Sequence, residues 1–187
     1  MMDIGFAMCG SFCTFSQVFP VMELLTRDYH VTPIFSTAAA TVDSRFGSAA
    51  EHLTQAADIC GTQVLKTIAQ VEPIGPKKLF DALIVAPCTG NTLAKLAHSI
   101  ADTPVTMAVK SHLRNGRPVL IAVSTNDALG GAAENIGKLM ARKHYYFVPF
   151  RQDDPKNKPT SMVADFNRIH EALDAALEGR QLQPVLL

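Results

Sequence analysis

The run Ala82-Leu83-Ile84-Val85-Ala86 constrains this chain most. It is apolar throughout, as a strand buried on both faces of a sheet must be. Pro87 breaks the run, and Cys88-Thr89-Gly90-Asn91-Thr92 follows, small and rich in hydroxyls. Leu93, Leu96, Ala97, Ile100 and Ala101 then recur at helical spacing. Buried strand, polar loop and helix in that order belong to a sheet covered by helices above and below. In open α/β sheets ligands bind beyond the carboxyl ends of the strands. A helix that starts there presents unpaired N–H groups to an anion.

The rest of the chain repeats the alternation. Asp3–Met8 reads as a first strand and Cys9–Thr14 as a turn, and a helix runs on to about Asp28 with Pro20 as a source of a kink. Val31–Phe35 reads as a second strand, although Pro33 is unwelcome in a central one. Helices are predicted over Ala49–Ala57 and Gln63–Ala69, after a long loop that carries Thr41, Asp43, Ser44 and Arg45. Beyond the central unit come a helix over Val105–Leu113 with Asn115-Gly116 as its stop, a strand over Val119–Val123 and a polar loop Ser124–Asp127. A helix over Ala132–Arg142, a final strand over Tyr145–Pro149, a charged loop Arg151–Pro159 and an amphipathic helix over Ser161–Leu177 complete the pattern. Residues 179–187 read as a tail, loose or packed on a neighbour. Strands alternating with helices predict one α/β domain over residues 1–187, a three-layer Rossmann-like or flavodoxin-like arrangement with a parallel sheet.

Charge and cysteine usage narrow the function. Lys+Arg and Asp+Glu are both 17, so the formal net charge is zero, which argues against bulk nucleic-acid binding. No apolar run is long enough to span a membrane, and the first residues lack a basic segment ahead of an apolar one. The expected location is the cytoplasm. The four cysteines, Cys9, Cys13, Cys60 and Cys88, form neither a CxxC pair nor a zinc-spaced cluster with histidine. They read as reduced, packed thiols with no metal, and a nucleophilic role for Cys88 stays open.

Three strand-end loops therefore carry the functional reading. The first holds Gly10, Ser11, Phe12 and Thr14, the second Ser36 and Thr37, and the central one Pro87, Thr89, Asn91 and Thr92. Hydroxyls, amides and backbone N–H groups without cationic side chains suit a phosphate monoester held without lysine or magnesium. The patterns GxxxxGK[ST] and GxGxxG are absent, which disfavours a nucleotide triphosphatase or a dinucleotide site. A mononucleotide with one terminal phosphate and a flat ring fits better, with Pro87 as a floor for the ring. Helix capping by Ser11, Thr89 and Asn91 is the plainer alternative for each loop taken alone.

The stretch APCTGNTLAKLAHSIADTPVT, Ala86–Thr106, resembles the AP-x-[ST]-x-NT-x-x-K-x-A-x-G-x-x-D motif of the FMN-binding flavoproteins related to cysteine decarboxylases. Gly10-Ser11 and Ser36-Thr37 match that family's phosphate loops, and His98-Ser99 departs from its small-Gly pair. The resemblance covers about Asp3 to Pro149 and implies FMN as cofactor, Ser124 and Thr125 beside the other loops, and a homo-oligomer, a trimer or a dodecamer. The family's decarboxylases carry a catalytic His just before the central strand and a PxMN motif after the next strand. Here those places read Val71-Glu72-Pro73-Ile74 and Val123-Ser124-Thr125-Asn126, so decarboxylation is disfavoured.

Thr41–Gly47, Glu72–Thr92, Leu113–Gly130 and Tyr146–Pro159 resemble one branch of the family more closely. That branch implies oxidation of a small dicarboxylate in the mother cell of a spore-forming bacterium. It also implies a separate A subunit of nicotinamide-binding fold, and NADP through it. Arg45 is then the candidate partner for a substrate carboxylate, and Asn126 for the flavin edge or the substrate. Asp127 is either a base or the head of an Asx turn. Lys77 and Lys78 read as solvated, and Lys95 lies on the helix after the central loop. His30, His52, His98, His112, His144 and His170 share no spacing, and His98 lies nearest the motif. A non-catalytic subunit that binds flavin or phosphate structurally remains the other reading.

Overall fold

The structure, a computed structural model, describes residues Met1–Leu187. In chain order the elements are β1 (Met2–Met8), α1 (Phe15–Leu25), β2 (Tyr29–Phe35), α2 (Thr37–Thr41), α3 (Ala49–Cys60), α4 (Ile68–Val71), β3 (Ala82–Cys88) and α5 (Gly90–Ala97). There follow α6 (Pro104–Leu113), β4 (Val119–Thr125), α7 (Ala133–Met140), β5 (Tyr145–Phe147), β6 (Phe150–Arg151), β7 (Met162–Ala164) and α8 (Ile169–Leu177). Seven strands form the sheet in the order β2-β1-β3-β4-β7-β6, with β5 also pairing β4. The pairs among β1 to β5 are parallel, and β7 runs antiparallel to β4 and to β6. The sheet is therefore mostly parallel between helical layers, and no helix is long and apolar enough to cross a membrane.

Central position explains the apolar run. Every residue of β3 is buried, because β1 and β4 flank it and helices cover both faces. The strand continues through Pro87 to Cys88 instead of stopping at Ala86, and the register shifts between Val85 and Cys88. A bulge is where a strand accommodates a proline without losing a ladder bond. Pro33 is tolerated for a different reason: β2 is the edge strand. Its carbonyl accepts from Leu65 N–H on the outer side, and Phe35 N–H points the same way, so the missing N–H of Pro33 faces away from β1. In α1, Pro20 and Ser16, four residues before it, both lie on the exposed face, where water can satisfy the freed carbonyl.

Several expected boundaries move. The first helix ends at Leu25, and Thr26–Asp28 form a turn. The helix expected over Gln63–Ala69 is instead an extended segment bridging Leu65 to Ile34, with helix only from Ile68. The helix expected over Ser161–Leu177 begins at Ile169, and Met162–Ala164 pairs with Ser124 and Thr125 as β7. Tyr145–Phe147 is not the last strand, and β4 divides its outer edge between β5 and β7. The tail packs on its own chain: Gln181 exchanges hydrogen bonds with the backbone of Phe147 at 2.8 and 2.7 Å, and Phe150 N–H donates to Val185 at 3.0 Å.

Candidate functional site

All the strand-end loops lie at one end of the sheet because β1 to β4 are parallel. The first is built around Ser11, which precedes a 3-10 turn, Phe12–Thr14, that runs straight into α1. Its hydroxyl does not cap that helix. It lies 2.8 Å from Ser124 Oγ at the end of β4 instead. The first N–H groups of the turn thus keep no side-chain acceptor, which leaves the positive end of the helix dipole for an external anion. Thr14 is buried and donates to the Ser11 carbonyl at 2.8 Å, so it shapes the loop. Phe12 is half-buried with its ring centroid 5.4 Å from that of Phe15.

The neighbouring loops close on this centre. Ser36 N–H donates to Met8 at 2.9 Å, which ties the ends of β2 and β1. Ser36 is a true cap, its hydroxyl accepting from Ala39 N–H at 3.2 Å, while Thr37 is exposed at the start of α2. Gly10 sits against Ala38: a Cβ placed on it would lie 3.3 Å from the Ala38 methyl. From the central loop, Pro87 accepts from Cys9 N–H at 3.2 Å, and Thr92 donates to Cys9 Sγ at 3.3 Å. Thr89 caps α5 through Thr92 N–H at 3.4 Å, and Asn91 is exposed in the first turn of that helix. Pro87 is buried inside β3, so it does not present the ring floor expected of it. Thr92 is likewise a buried strap between loops.

The fold adds to the turn expected at Asp127 a contact with the start of α5. Asp127 Oδ1 accepts from Thr125 Oγ1 at 2.5 Å. A Cβ on Gly90 would lie 2.8 Å from both that oxygen and Thr125 Oγ1, so the carboxylate sits against the start of α5. Asp127 is therefore a structural anion at a helix N-terminus and the head of a turn whose backbone accepts from Gly130 and Ala132. Asn126 is exposed beside it, and its carbonyl accepts from Thr160 Oγ1 at 2.7 Å. Arg45 stands apart from all of these. It lies exposed in a tight turn closed by Ser44 and Gly47, with its guanidinium 4.8 Å from the Phe46 ring centroid.

The thiols other than exposed Cys13 are quiet. Cys9 and Cys88 are buried, and burial pushes the first up to about 11 and the second well above its ordinary value. That removes Cys88 as a nucleophile at neutral pH. Burial also pushes Cys60 up to about 12, and no cluster of His, Cys, Asp or Glu is placed to hold a metal ion. His98 is exposed, with Nδ1 2.9 Å from the Ala94 carbonyl at the far end of α5 from the loops.

A family model described as flavoprotein matches residues 1–175, nearly the whole of this architecture. The chain belongs to the flavoprotein family. This flavoprotein is 42% identical over 185 residues to the B subunit of dipicolinate synthase from Bacillus subtilis (strain 168), covering 98% of this chain and 92% of that protein. The crystal structure of the corresponding dipicolinate synthase protein from Bacillus halodurans superposes with a TM-score of 0.91 at 42% identity, over 100% of this flavoprotein and 96% of that chain. DmrB from Burkholderia xenovorans, solved in complex with FMN, shares the fold at 18% identity and a TM-score of 0.68, over 95% of this chain and 96% of its own.

Proposed function

We propose that this chain is the flavoprotein subunit of a dipicolinate synthase, which oxidises dihydrodipicolinate to dipicolinate (pyridine-2,6-dicarboxylate) together with a separate A subunit. What carries the reading is the 42% identity over 98% of the chain to a dipicolinate synthase component. The joined loops agree with it. The paired hydroxyls of Ser11 and Ser124, backbone N–H groups of the turn at Phe12, and the close backbone at Gly10 form a donor set for a phosphate monoester, while the Thr89 hydroxyl is held by Thr92. The carboxylate in reach, Asp127, is already engaged by Thr125. Residues present therefore fit FMN, with Gly10, Ser11, Ser36, Thr37, Thr89, Asn91, Ser124 and Thr125 as the holding set. Bound there, FMN supplies a hydride acceptor.

Dihydrodipicolinate loses one hydride and one proton, and its ring becomes aromatic. The substrate brings two carboxylates, and Arg45 is the residue of this chain suited to grip one of them bidentately. Asn126, exposed at the end of β4, orients substrate or flavin through its amide. The A subunit contributes NADP, and the chain works as a homo-oligomer, a trimer or a dodecamer. Decarboxylation is disfavoured by a specific feature. Val71 and Ile74, in the segment where the family's decarboxylases carry their His, are fully buried apolar residues.

The test has two parts. The purified chain is titrated with FMN and followed by absorbance in the flavin bands. Dihydrodipicolinate oxidation is then measured with this chain alone, the A chain alone and the mixture. A yellow complex and activity that needs this chain are expected. A chain that ignores FMN, or full activity from the A chain alone, would refute the catalytic reading.

A further inference from the structure

Helix α5 leads from the strand-end loops to the opposite, amino-end edge of the sheet, where a separate cavity of ≈ 350 Å³ opens. That lies within the range of about 300–1,000 Å³ in which small-molecule pockets fall. Leu96, Ile100, Val109 and Leu113 wall it. Lys110, Arg142, Lys143 and His144 also line it, and no carboxylate does. In a chain with 17 basic and 17 acidic residues, this is a local excess assembled from α6 and the turn between α7 and β5.

Helix ends account for one of these cations. Arg142 donates to the Leu96 and Ala97 carbonyls at 3.0 and 2.6 Å and so closes the C-terminus of α5. Lys110 and Lys143 form no ion pair with any carboxylate of the chain. Tyr145, buried, also lines the cavity, and burial pushes its hydroxyl up to about 12, so it stays a neutral donor. Apolar walls favour a hydrocarbon body, and unpaired ammonium groups favour a carboxylate.

We propose that this cavity binds a small organic carboxylate with a flat apolar body, at a site separate from the strand-end loops. The probe is 1-naphthoate, titrated calorimetrically into the full chain with and without saturating FMN, and the control is the neutral 1-naphthalenemethanol. One saturable naphthoate site is expected, undisturbed by FMN, with the alcohol binding at least about tenfold more weakly because it lacks the charge. Lys110→Glu with Lys143→Glu should cost about tenfold or more in naphthoate affinity while thermal melting and FMN binding stay put, as expected for exposed lysines. Ala101→Trp, which fills the cavity without altering its charges, should abolish the site. Absence of saturable binding, displacement of naphthoate by FMN, or wild-type affinity in both variants would overturn the proposal.

Discussion

The hydroxyl oxygens of Ser11 and Ser124 lie 2.8 Å apart across 113 positions of sequence. Strand β3 stands between the strands that carry them, and neighbouring strands lie about 4.8 Å apart. The first loop must therefore fold over the end of β3 to reach Ser124. The contact brings the N-terminal end of the Phe12–Leu25 helical segment to the end of β4, and it turns separate polar loops into one cradle.

Replacing Ser11 by Asp sets a carboxylate at that helix start. The free chain gains about 0.3–1 kcal/mol from the helix dipole. A phosphate at the same place meets a like charge, and two such charges about 4 Å apart near a surface repel by about 4 kcal/mol. FMN affinity should fall by about a hundredfold or more, read by flavin fluorescence, while a urea melt shows a folded protein. Unchanged FMN binding would move the cradle elsewhere.

Cys13 reports on the same loop. It is exposed, with Sγ 3.9 Å from Ser11 Oγ, whereas Cys9 and Cys88 are buried. Ellman's reagent should modify Cys13 fast in the native chain and leave Cys9 and Cys88 until unfolding, as peptide mass spectrometry would show. Saturating FMN should slow that fast phase; a rate that FMN does not change would place the phosphate away from Ser11.

Arg45 lies over the Phe46 ring, forms no ion pair and is exposed, so its loss should barely move stability. Arg45→Gln is expected to raise KM for the dicarboxylate by about ten- to a hundredfold, with kcat within a few-fold and FMN affinity unchanged. An unaltered KM would take Arg45 out of the substrate site.

Ser99 stands where the family motif has glycine, and its φ is 59°. It occupies the left-handed position of a complete Schellman ending, with Ser99 N–H donating to Leu96 at 3.1 Å and Ile100 N–H to Lys95 at 2.8 Å. A side chain there costs about 1–2 kcal/mol. Glycine gives part of that back through its freer unfolded chain, about 0.5–1 kcal/mol. Ser99→Gly should therefore stabilise by up to about 1 kcal/mol in chemical denaturation, and a destabilised variant would show that the serine side chain contributes packing here.

His112 is fully buried, and burial lowers it to about 4 although the Pro118 carbonyl accepts from Nε2 at 3.0 Å. Its Nδ1 has no partner, which a neutral ring tolerates and a protonated one does not. Unfolded, it titrates near pH 6.5, so the unfolded state binds the extra proton between those values and stability falls as pH drops from about 6.5 towards 4. The full loss is about 3 kcal/mol. Urea melts of the wild type and His112→Asn across that window should differ in slope, the variant lacking this contribution; parallel slopes would mean that the folded ring takes up its proton over the same range as the unfolded one.

Local chemistry settled much of this protein in advance. A five-residue apolar run closed by a proline and a polar turn is too short for a buried helix and reads as a doubly covered strand, and Thr89 and Gly116 mark helix ends by their own bonding and φ, so the central unit and the strand-end loops were legible from residues alone. What depended on distant partners was not. Met162, Phe166 and Ile169 keep helical spacing, yet Met162–Ala164 is a strand because the outer edge of β4 at Ser124 and Thr125 needs backbone partners. Leu65 becomes a bridge only because β2 is an edge. In the site, sequence supplied hydroxyls without saying which were free. Thr14 and Thr92 turn inward to Ser11 and Cys9, Asp127 settles against Gly90, and Ser11 is left to meet Ser124. A hydroxyl's availability depends on which neighbours compete for it, and the strand order chose those neighbours.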